Sequence, residues 1–356
     1  MEANTIHVDL GDHAYDIVVA PGLLPSIGSR VKTLLPKAVR AAVISDSNVA
    51  PLYAAALQSS LENAGFAVTV ITIPAGEQSK NMTMLANVLE QLAQSGLTRS
   101  DVLLTLGGGV VGDLGGFAAA SYMRGIAFVQ VPTSLLAQID SSVGGKVAVD
   151  LAAGKNLAGA FYQPKAVFID TDLLATLPVR FLHDGLAEAV KYGCIKDAAL
   201  FEQIAAYDSD EELLADIGSV IAACCNIKAR IVEQDEFDTG LRMLLNFGHT
   251  LGHAIEQHYG YGKYTHGEGV GIGMYQLTLQ TEAMGLTAAG TAARIAAVLQ
   301  KYNLPVAAGV AKSDFLETMA RDKKKAGGSI TLIVLESIGS GRLHNINWQE
   351  MPEYLG

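Results

Sequence analysis

The feature that most constrains the fold is an alternation of short apolar runs with amphipathic stretches in the first half of the chain. The apolar runs lie at 39–45, 67–73, 102–106, 126–131 and 166–169. Helical periodicity at 51–64 and 81–95 separates the first three of them. Nearly continuous apolar strands joined by helices indicate a parallel sheet covered on both faces. Two further runs, 6–10 and 15–19 on either side of Gly11-Asp12, predict a small hairpin before this sheet.

The second half of the chain has mainly helical periodicity. Predicted helices cover 181–195, 211–234, 242–258, 267–284, 288–302 and 313–321, and one late strand covers 330–335. We therefore predict an α/β fold in two domains. Residues 1–172 form a Rossmann-like domain with a parallel sheet, and residues 173–356 form a mainly α-helical domain.

Charge and composition narrow the partners that this chain can have. Its 36 acidic and 25 basic residues give a net charge of −11, which argues against binding to a nucleic-acid backbone. Its three cysteines have no CxxC spacing, which argues against a disulfide framework or a thiolate zinc site. No secretory signal is visible at the start, and the longest uncharged run is too short for a bilayer. We expect a cytoplasmic protein without nucleic-acid or membrane partners.

A glycine-rich segment follows the predicted strand at 102–106. Residues 107–113, GGGVVGD, fit the pattern G-x-G-x-x-G between a strand and a helix. Glycines at these positions let the backbone approach a pyrophosphate, and the positive end of the helix favours its charge. No acidic residue follows at the usual distance, but Asp46 ends the 39–45 strand and could hold a ribose hydroxyl. The segment predicts a nucleotide site, and the alternative is a tight strand–helix turn without a ligand.

A second polar segment runs from Asp140 to Lys146 and continues to Lys155 and Asn156. Its sequence SSVGGK resembles a phosphate cradle but lacks the spacing of a P-loop. Taken alone, Lys146 is best interpreted as a solvated loop lysine.

Histidines cluster in the predicted helix at 242–258. Arg242, Asn246, His249 and His253 recur at spacings of four, three and four, which places them on one helical face. His266 follows a Gly/Tyr-rich loop, and Glu188 lies in another predicted helix. Two histidines and a carboxylate, with open positions for substrate, form a recurrent catalytic zinc arrangement. The pattern leaves open whether the ligands are Glu188, His249 and His266 or a three-histidine set that includes His253. Surface histidines are the alternative.

The same segments resemble the 3-dehydroquinate synthase family, and the resemblance extends over nearly the whole chain. The matching segments are GEQSK (76–80), GGGVVGDLGGFAAASYMRGI (107–126), VPTSLLAQIDSSVGGKVAVD (131–150), GKNLAGAFYQP (154–164), DGLAEAVKYG (184–193), LRMLLNFGHTLGHAIE (241–256), HGE (266–268) and RDKKK (321–325). The resemblance implies an N-terminal NAD-binding domain, a C-terminal helical domain, one Zn²⁺ for which Co²⁺ can substitute, and a homodimer. Two positions depart from the common pattern: Ser134 replaces a threonine, and Asp238 replaces a glutamate.

The resemblance also assigns roles to individual residues. It places the metal on Glu188, His249 and His266. It places NAD on Asp46, Asn48, Gly76, Glu77, Gln78, Lys80, Gly108, Gly109, Val110, Val111, Gly112, Asp113, Thr133, Ser134, Lys146, Lys155 and Thr176. It places substrate binding and catalysis on Asp140, Lys146, Asn156, Lys191, Lys228, Arg242, Asn246, His253, Lys323 and Lys324. Arg124 is expected to reach the neighbouring subunit's site.

The implied reaction converts 3-deoxy-D-arabino-heptulosonate 7-phosphate to 3-dehydroquinate and phosphate, and it uses and regenerates NAD. An acidic protein must gather cations locally to bind a substrate that carries a carboxylate and a phosphate. Lys146, Lys228, Arg242 and the Lys323/Lys324 pair can supply them, and Arg242 offers a bidentate fork for a carboxylate. The alternatives are a sister cyclase that acts on another sugar phosphate, an NAD- and metal-dependent polyol dehydrogenase, and a relative without activity.

Overall fold

The computed structural model describes residues 3–260, 262–309, 313–316 and 328–355. The chain divides into two compact units. Unit 1 comprises Met1–Pro178 with Lys228–Phe237, and unit 2 comprises Val179–Ile227 with Asp238–Gly356. Among the described residues, no helix combines the length and the apolar character that crossing a membrane requires.

Unit 1 is built on a seven-stranded sheet. Its strands are β1 (Asn4–Val8), β2 (Tyr15–Ala20), β3 (Arg40–Asp46), β4 (Ala67–Ile73), β5 (Val102–Gly107), β6 (Ala127–Pro132) and β9 (Ala166–Asp170). The spatial order is β1-β2-β9-β6-β5-β3-β4, and all neighbours are parallel except the β1–β2 hairpin. The predicted parallel sheet and N-terminal hairpin are confirmed.

Helices cover both faces of this sheet. They are α1 (Ile27–Leu34), α2 (Ala50–Asn63), α3 (Met82–Gln94) and α4 (Gly109–Ser121). Along β3, Ala41 and Val43 join the core beneath α1 and α2, whereas Ala42 and Ile44 join the core beneath α3 and α4. Burying one such aliphatic side chain contributes about 1.5–3 kcal/mol, so the two cores hold the sheet between its helices.

The strand order reverses between β3 and β5. The chain leaves β3 for α2 on one face and leaves β5 for α4 on the other. In open α/β sheets, such a reversal leaves a crevice at the carboxyl ends of the two strands, where ligands bind. The glycine-rich segment begins at this point, because β5 ends at Gly107.

The second polar segment forms a hairpin that the sequence pattern did not predict. Strands β7 (Lys146–Leu151) and β8 (Gly154–Phe161) pair antiparallel. Val147 packs on α4 at Gly116, where a Cβ atom would lie only 2.3 Å from Val147 Cγ1. The alternation of Val147 and Val149 with polar residues is a strand signal, but the flanking glycines and lysine hid it.

Unit 2 is mainly helical. Its helices are α5 (Val179–Lys196), α6 (Ala198–Ala206), α7 (Asp210–Gln234), α8 (His249–His258), α9 (His266–Ala283) and α10 (Thr291–Lys301), and α7 continues into unit 1 from Lys228. Strands β10 (Ser329–Ser337) and β11 (Ser340–Asn347) form a hairpin. The mainly helical character predicted for the second half is confirmed, but α6 and β11 were missed. Residues 317–321 of the predicted helix 313–321, and both Lys323 and Lys324, lie outside the described residues.

The prediction of one helix over 242–258 is wrong. Leu241–Asn246 form a 3-10 segment, and α8 begins only at His249. Gly248 between them has a φ of 79°, in the left-handed region that glycine adopts readily. Arg242 and Asn246 therefore do not share a continuous helical face with His249 and His253.

Candidate functional site

The glycine-rich turn lies at the carboxyl edge of the sheet in unit 1. Helix α4 starts at Gly109, with Gly108 as its N-cap residue. A Cβ atom on Gly112 would lie 2.8 Å from Gln130 Oε1, so this glycine, like the buried Val111, serves the packing of α4 on the sheet. Gly108 and Gly109 are half-buried, as is Val110. The backbone that a nucleotide phosphate could approach is therefore Gly108–Val110.

Asp46 lies beside this turn. Ser45 pairs with Leu106 across β3 and β5, which brings Asp46 alongside Gly107. One Asp46 carboxylate oxygen accepts hydrogen bonds from the backbone N–H groups of Asn48 (2.8 Å) and Val49 (3.1 Å). These bonds orient the carboxylate at the point of strand reversal, where the ribose of a dinucleotide would lie.

Other predicted cofactor residues follow the strands that end at the same edge. Thr133 follows β6, and its backbone N–H donates to Gly107 O at 3.0 Å. The Thr176 hydroxyl lies 2.6 Å from the Tyr53 hydroxyl. The remaining residues in segments that follow β3, β4 and β6 are Asn48, Gly76, Gln78 and Ser134.

A buried lysine organises the polar groups near α4. Lys80, only 5% exposed, donates from Nζ to Asn156 Oδ1 at 2.8 Å and to Asp113 Oδ2 at 3.1 Å, and Glu77 Oε1 lies at 3.2 Å. Burial by itself would lower the pKa of Lys80, but Asp113, Glu77 and Asp150 outweigh it and raise that pKa. Burial also raises the pKa of Asp113, to about 6, against the opposing effect of Lys80.

Asn156 has a left-handed φ of 55° and contributes its side chain to Lys80. Lys155, its neighbour in β8, lies 3.7 Å from Glu77 Oε1. The structure thus places Asn156, for which the resemblance implies a substrate role, in the same network as Lys80 and Glu77, for which it implies a cofactor role.

A second buried lysine lies on the part of α7 that belongs to unit 1. Lys228 Nζ donates to both Asp140 Oδ1 and Asp140 O at 2.7 Å. Lys146 begins β7 and is exposed. The structure thus brings two of the predicted substrate residues, Lys228 and Asp140, together.

Arg124 lies away from the glycine-rich turn. It is exposed, with a φ of 67°, and it follows the C-terminal end of α4, whereas the turn lies at the N-terminal end.

In unit 2, three potential metal ligands converge from three helices. Glu188 comes from α5, and His249 and His266 are the first residues of α8 and α9. One Glu188 oxygen, Oε1, lies 3.5 Å from His249 Nε2 and 3.4 Å from His266 Nε2. Among the described residues, these three form the group whose ligand atoms all lie within 4.8 Å of one another.

Glycines allow these helices to approach closely. A Cβ atom on Gly267 would lie 2.0 Å from Asp184 O of α5, and one on Gly273 would lie 2.0 Å from Gly248 O. A third contact joins Gly252 of α8 to Gly269 of α9, where a Cβ on Gly252 would lie 3.0 Å from Gly269 C. Helix α9 therefore contacts backbone on both neighbours, which places its first residue, His266, against α5 and α8.

Hydrogen bonds aim the three ligand atoms inward. His249 Nδ1 lies 3.2 Å from Phe247 O, and His266 Nδ1 lies 3.0 Å from Glu256 Oε1. The second Glu188 oxygen accepts a hydrogen bond from the buried Lys191. When Nδ1 of each ring donates, Nε2 carries the lone pair that a metal needs.

The donor set fits a zinc ion. Two imidazole nitrogens and one carboxylate oxygen are typical ligands of catalytic zinc. Tetrahedral ligands at about 2.0–2.1 Å from zinc lie about 3.3–3.4 Å apart. The distances of 3.4 and 3.5 Å between Glu188 Oε1 and the two Nε2 atoms are close to that separation.

Without a metal ion, the pKa values of the two histidines would shift in opposite directions. Burial, reinforced by the nearby Lys191, lowers the pKa of His249 to about 3, against the opposing effect of Glu188. Burial also disfavours the charged form of His266, but hydrogen bonds to Glu188 and Glu256 outweigh it and raise the pKa of His266 to about 10.

The remaining predicted residues of unit 2 differ in their exposure. His253 is exposed, one turn beyond His249, and its ring centroid lies 5.5 Å from that of His249. Arg242 is buried and Asn246 is exposed in the 3-10 segment. Sequence reasoning missed Glu256, although its spacing of three after His253 and seven after His249 could have revealed it.

Unit 1 has a strand reversal with a glycine-rich turn, and unit 2 has a Glu/His₂ cluster. Together they define a class of α/β enzyme fold in which a second, helical unit contains a possible metal site. Solved structures of sugar-phosphate cyclases share this fold. The 2-deoxy-scyllo-inosose synthase complexed with carbaglucose-6-phosphate, NAD⁺ and Co²⁺ has a TM-score of 0.86 at 24% identity, with 98% of both chains covered. The 2-epi-5-epi-valiolone synthase from Streptomyces hygroscopicus subsp. jinggangensis, with NAD⁺ and Zn²⁺ bound, has a TM-score of 0.86 at 27% identity, over 96% of this chain and 95% of that one.

Sequence comparison gives the family. Residues 70–184 match the family model for the 3-dehydroquinate synthase N-terminal region, and residues 185–325 match the model for its C-terminal region. The 3-dehydroquinate synthase of Clostridium acetobutylicum is 48% identical over 352 residues, which cover 99% of both chains. The chain belongs to the 3-dehydroquinate synthase family.

Proposed function

We propose that this chain converts 3-deoxy-D-arabino-heptulosonate 7-phosphate to 3-dehydroquinate and phosphate, as an NAD- and zinc-dependent carbon–oxygen lyase that works as a homodimer. The observation that carries the proposal is the convergence of Glu188 Oε1 with two oriented imidazoles, in a chain that matches its family over nearly its whole length. The structures solved with NAD⁺ and Zn²⁺ or Co²⁺ support the choice of cofactors.

Described residues could hold both the metal and the dinucleotide. Glu188, His249 and His266 would hold the metal, and the turn at Gly108–Val110 with Asp46 would hold the dinucleotide. When bound, the metal would polarise the substrate's secondary alcohol, while the nicotinamide would accept its hydride and later return it.

The side chains of the protein would bind the substrate and move protons. Arg242 would bind the carboxylate as a bidentate fork, and Lys228, held by Asp140, would add positive charge. His253 would exchange protons with the substrate, because it is exposed beside the metal cluster and an imidazole suits proton transfer near neutral pH. Lys323 and Lys324 are proposed for the same anionic substrate on the family resemblance alone.

The test measures phosphate release and NADH absorbance in the same cuvette, with heptulosonate 7-phosphate as substrate. We expect phosphate release without net NADH, abolished by a chelator and restored by Zn²⁺. Steady NADH accumulation would instead indicate a polyol dehydrogenase. Phosphate release only from glucose 6-phosphate or sedoheptulose 7-phosphate would indicate a sister cyclase. His266→Ala tests the metal site directly, because removing one proposed ligand should abolish phosphate release.

A further inference from the structure

We propose that Glu256 is a positioning residue for the metal centre: its buried carboxylate fixes the ring and the tautomer of His266, so that Nε2 faces the metal. The inference rests on the metal site of the proposed function and adds to it a residue outside the ligand set. Glu256 is 5% exposed, and its Oε1 lies 3.0 Å from His266 Nδ1, on the side of the ring opposite the cluster.

The packing of two helices determines this contact. Helices α8 and α9 meet at Gly248 and Gly273, and again at Gly252 and Gly269. Continuing this antiparallel register by one helical turn brings Glu256 of α8 beside His266 of α9. The position of the Glu256 carboxylate is therefore determined by backbone contacts between two helices.

Glu256 makes the two imidazoles chemically unequal. His249 Nδ1 lies against a neutral carbonyl, Phe247 O, at 3.2 Å, whereas His266 Nδ1 lies against a carboxylate. A carboxylate acceptor holds the Nδ1 proton more strongly and makes the opposite nitrogen a more basic ligand. Removing such an outer partner typically costs 10–100-fold in metal affinity.

The test compares Glu256→Ala and Glu256→Gln with the wild-type chain by Zn²⁺ competition against a chromophoric chelator. We expect Glu256→Ala to weaken Zn²⁺ binding about 10–100-fold. Glu256→Gln keeps an acceptor oxygen but loses the charge, so we expect an intermediate loss of roughly 3–10-fold. The visible absorption bands of bound Co²⁺ should shift in Glu256→Ala, because the ring of His266 is no longer fixed.

The controls separate positioning from stability and from the metal site itself. Glu282→Gln changes a carboxylate on α9 that accepts the N–H groups of Gly290 and Ala292, and it should keep wild-type Zn²⁺ affinity. The melting temperature of each metal-free variant measures the structural contribution of Glu256, and we expect it to fall in Glu256→Ala because the buried carboxylate pairs with His266. Zn²⁺ affinities are therefore compared at a temperature at which every variant is folded.

Each outcome is decisive. Wild-type Zn²⁺ affinity in Glu256→Gln would overturn the proposal, and so would wild-type affinity in a folded Glu256→Ala. If Glu256→Ala fails to fold, the isosteric Glu256→Gln alone decides. His266→Ala must lose Zn²⁺ binding. If it does not, the metal site of the proposed function is wrong, whereas loss in His266→Ala without loss in the Glu256 variants refutes only the role of Glu256.

Discussion

At the scale of single residues, buried charges in this protein are held by several partners each. Lys80 contacts Asp113, Asn156 and Glu77, and Lys228 contacts the backbone carbonyl oxygen and one carboxylate oxygen of Asp140. A buried charge without such partners would cost several kcal/mol. The residues that would handle a nucleotide and an anionic substrate are therefore fixed before any ligand arrives.

Asp113 gives a prediction about pH. Burial raises its pKa from 3.8 to about 6, so the folded chain binds this proton more tightly than the unfolded chain does. The contribution of Asp113 to the free energy of unfolding therefore falls as pH rises from about 4 to about 6 and is constant above. Asp113→Asn removes this titration. Urea unfolding from pH 4 to 7 should show the wild type losing about 2 kcal/mol relative to the variant.

Asp101 is the control with the opposite sign. Burial by itself would raise its pKa, but backbone N–H groups of Thr98, Arg40 and Val39 outweigh burial and lower the pKa below 3.8. Asp101 therefore contributes stability that is present above pH 3.8 and is lost as pH falls further. Asp101→Asn should differ most from wild type at neutral pH. A constant difference between wild type and Asp113→Asn from pH 4 to 7 would contradict the raised pKa of Asp113.

At the scale of elements, the sequence predicts the helices and strands whose apolar residues follow a regular pattern. The strands of the parallel sheet are continuous apolar runs, and the structure confirms them. The break at Gly248 was not predictable, because apolar spacing continues through it and a positive φ leaves no mark in a periodic pattern. The residue types Glu and His pointed to a metal site. Their exact grouping depends on glycine contacts between helices, which spacing along one helix does not contain.

Gly273→Ala tests the contact between α8 and α9. Alanine would gain about 1 kcal/mol from its helix preference. However, its Cβ would lie 2.0 Å from Gly248 O, so one helix must move. We expect a net loss of about 1–3 kcal/mol in the free energy of unfolding and weaker Zn²⁺ binding, because His249 follows Gly248 directly. Urea unfolding and chelator competition measure the two effects.

Gly271→Ala is the matched control on the same helix. Its Cβ would lie 3.3 Å from the tip of the Leu299 side chain, which can adjust, and 3.8 Å from Pro305 O, which is an ordinary van der Waals contact. This variant should keep Zn²⁺ affinity and lose little or no stability. Equal behaviour of the two alanine variants would show that the backbone contact at Gly248 does not hold the metal cluster together.

At the scale of the whole molecule, family membership covers both units, since the two family models together match residues 70–325. Unit 1 contains the proposed nucleotide turn, and unit 2 contains the proposed metal cluster. Arg124 belongs to unit 1 but lies away from the nucleotide turn of that unit. Helix α4 has 13 residues, about 20 Å, and separates Arg124 from the glycine-rich turn at its other end. The proposed homodimer explains this position if Arg124 serves the active site of the other subunit.

Mixed dimers test this explanation. Arg124→Ala removes the proposed cross-subunit arginine and His249→Ala removes a metal ligand, so each variant alone should have little activity. Each variant keeps the residue that the other lacks. In a dimer that contains one chain of each, one of the two sites has an intact metal cluster and receives Arg124 from the other chain. Random mixing should restore about a quarter of the wild-type rate of phosphate release, because half of the dimers are mixed and each has one complete site.

The control mixture combines His249→Ala with His266→Ala. Both substitutions damage the metal cluster of their own chain, so no combination of these chains contains a complete site, and the mixture should stay inactive. If Arg124 acted within its own chain, the first mixture would also show no more activity than its two components. Recovery in the first mixture alone therefore requires that Arg124 crosses the interface, and size-exclusion chromatography of the same samples shows whether dimers are present to make that exchange.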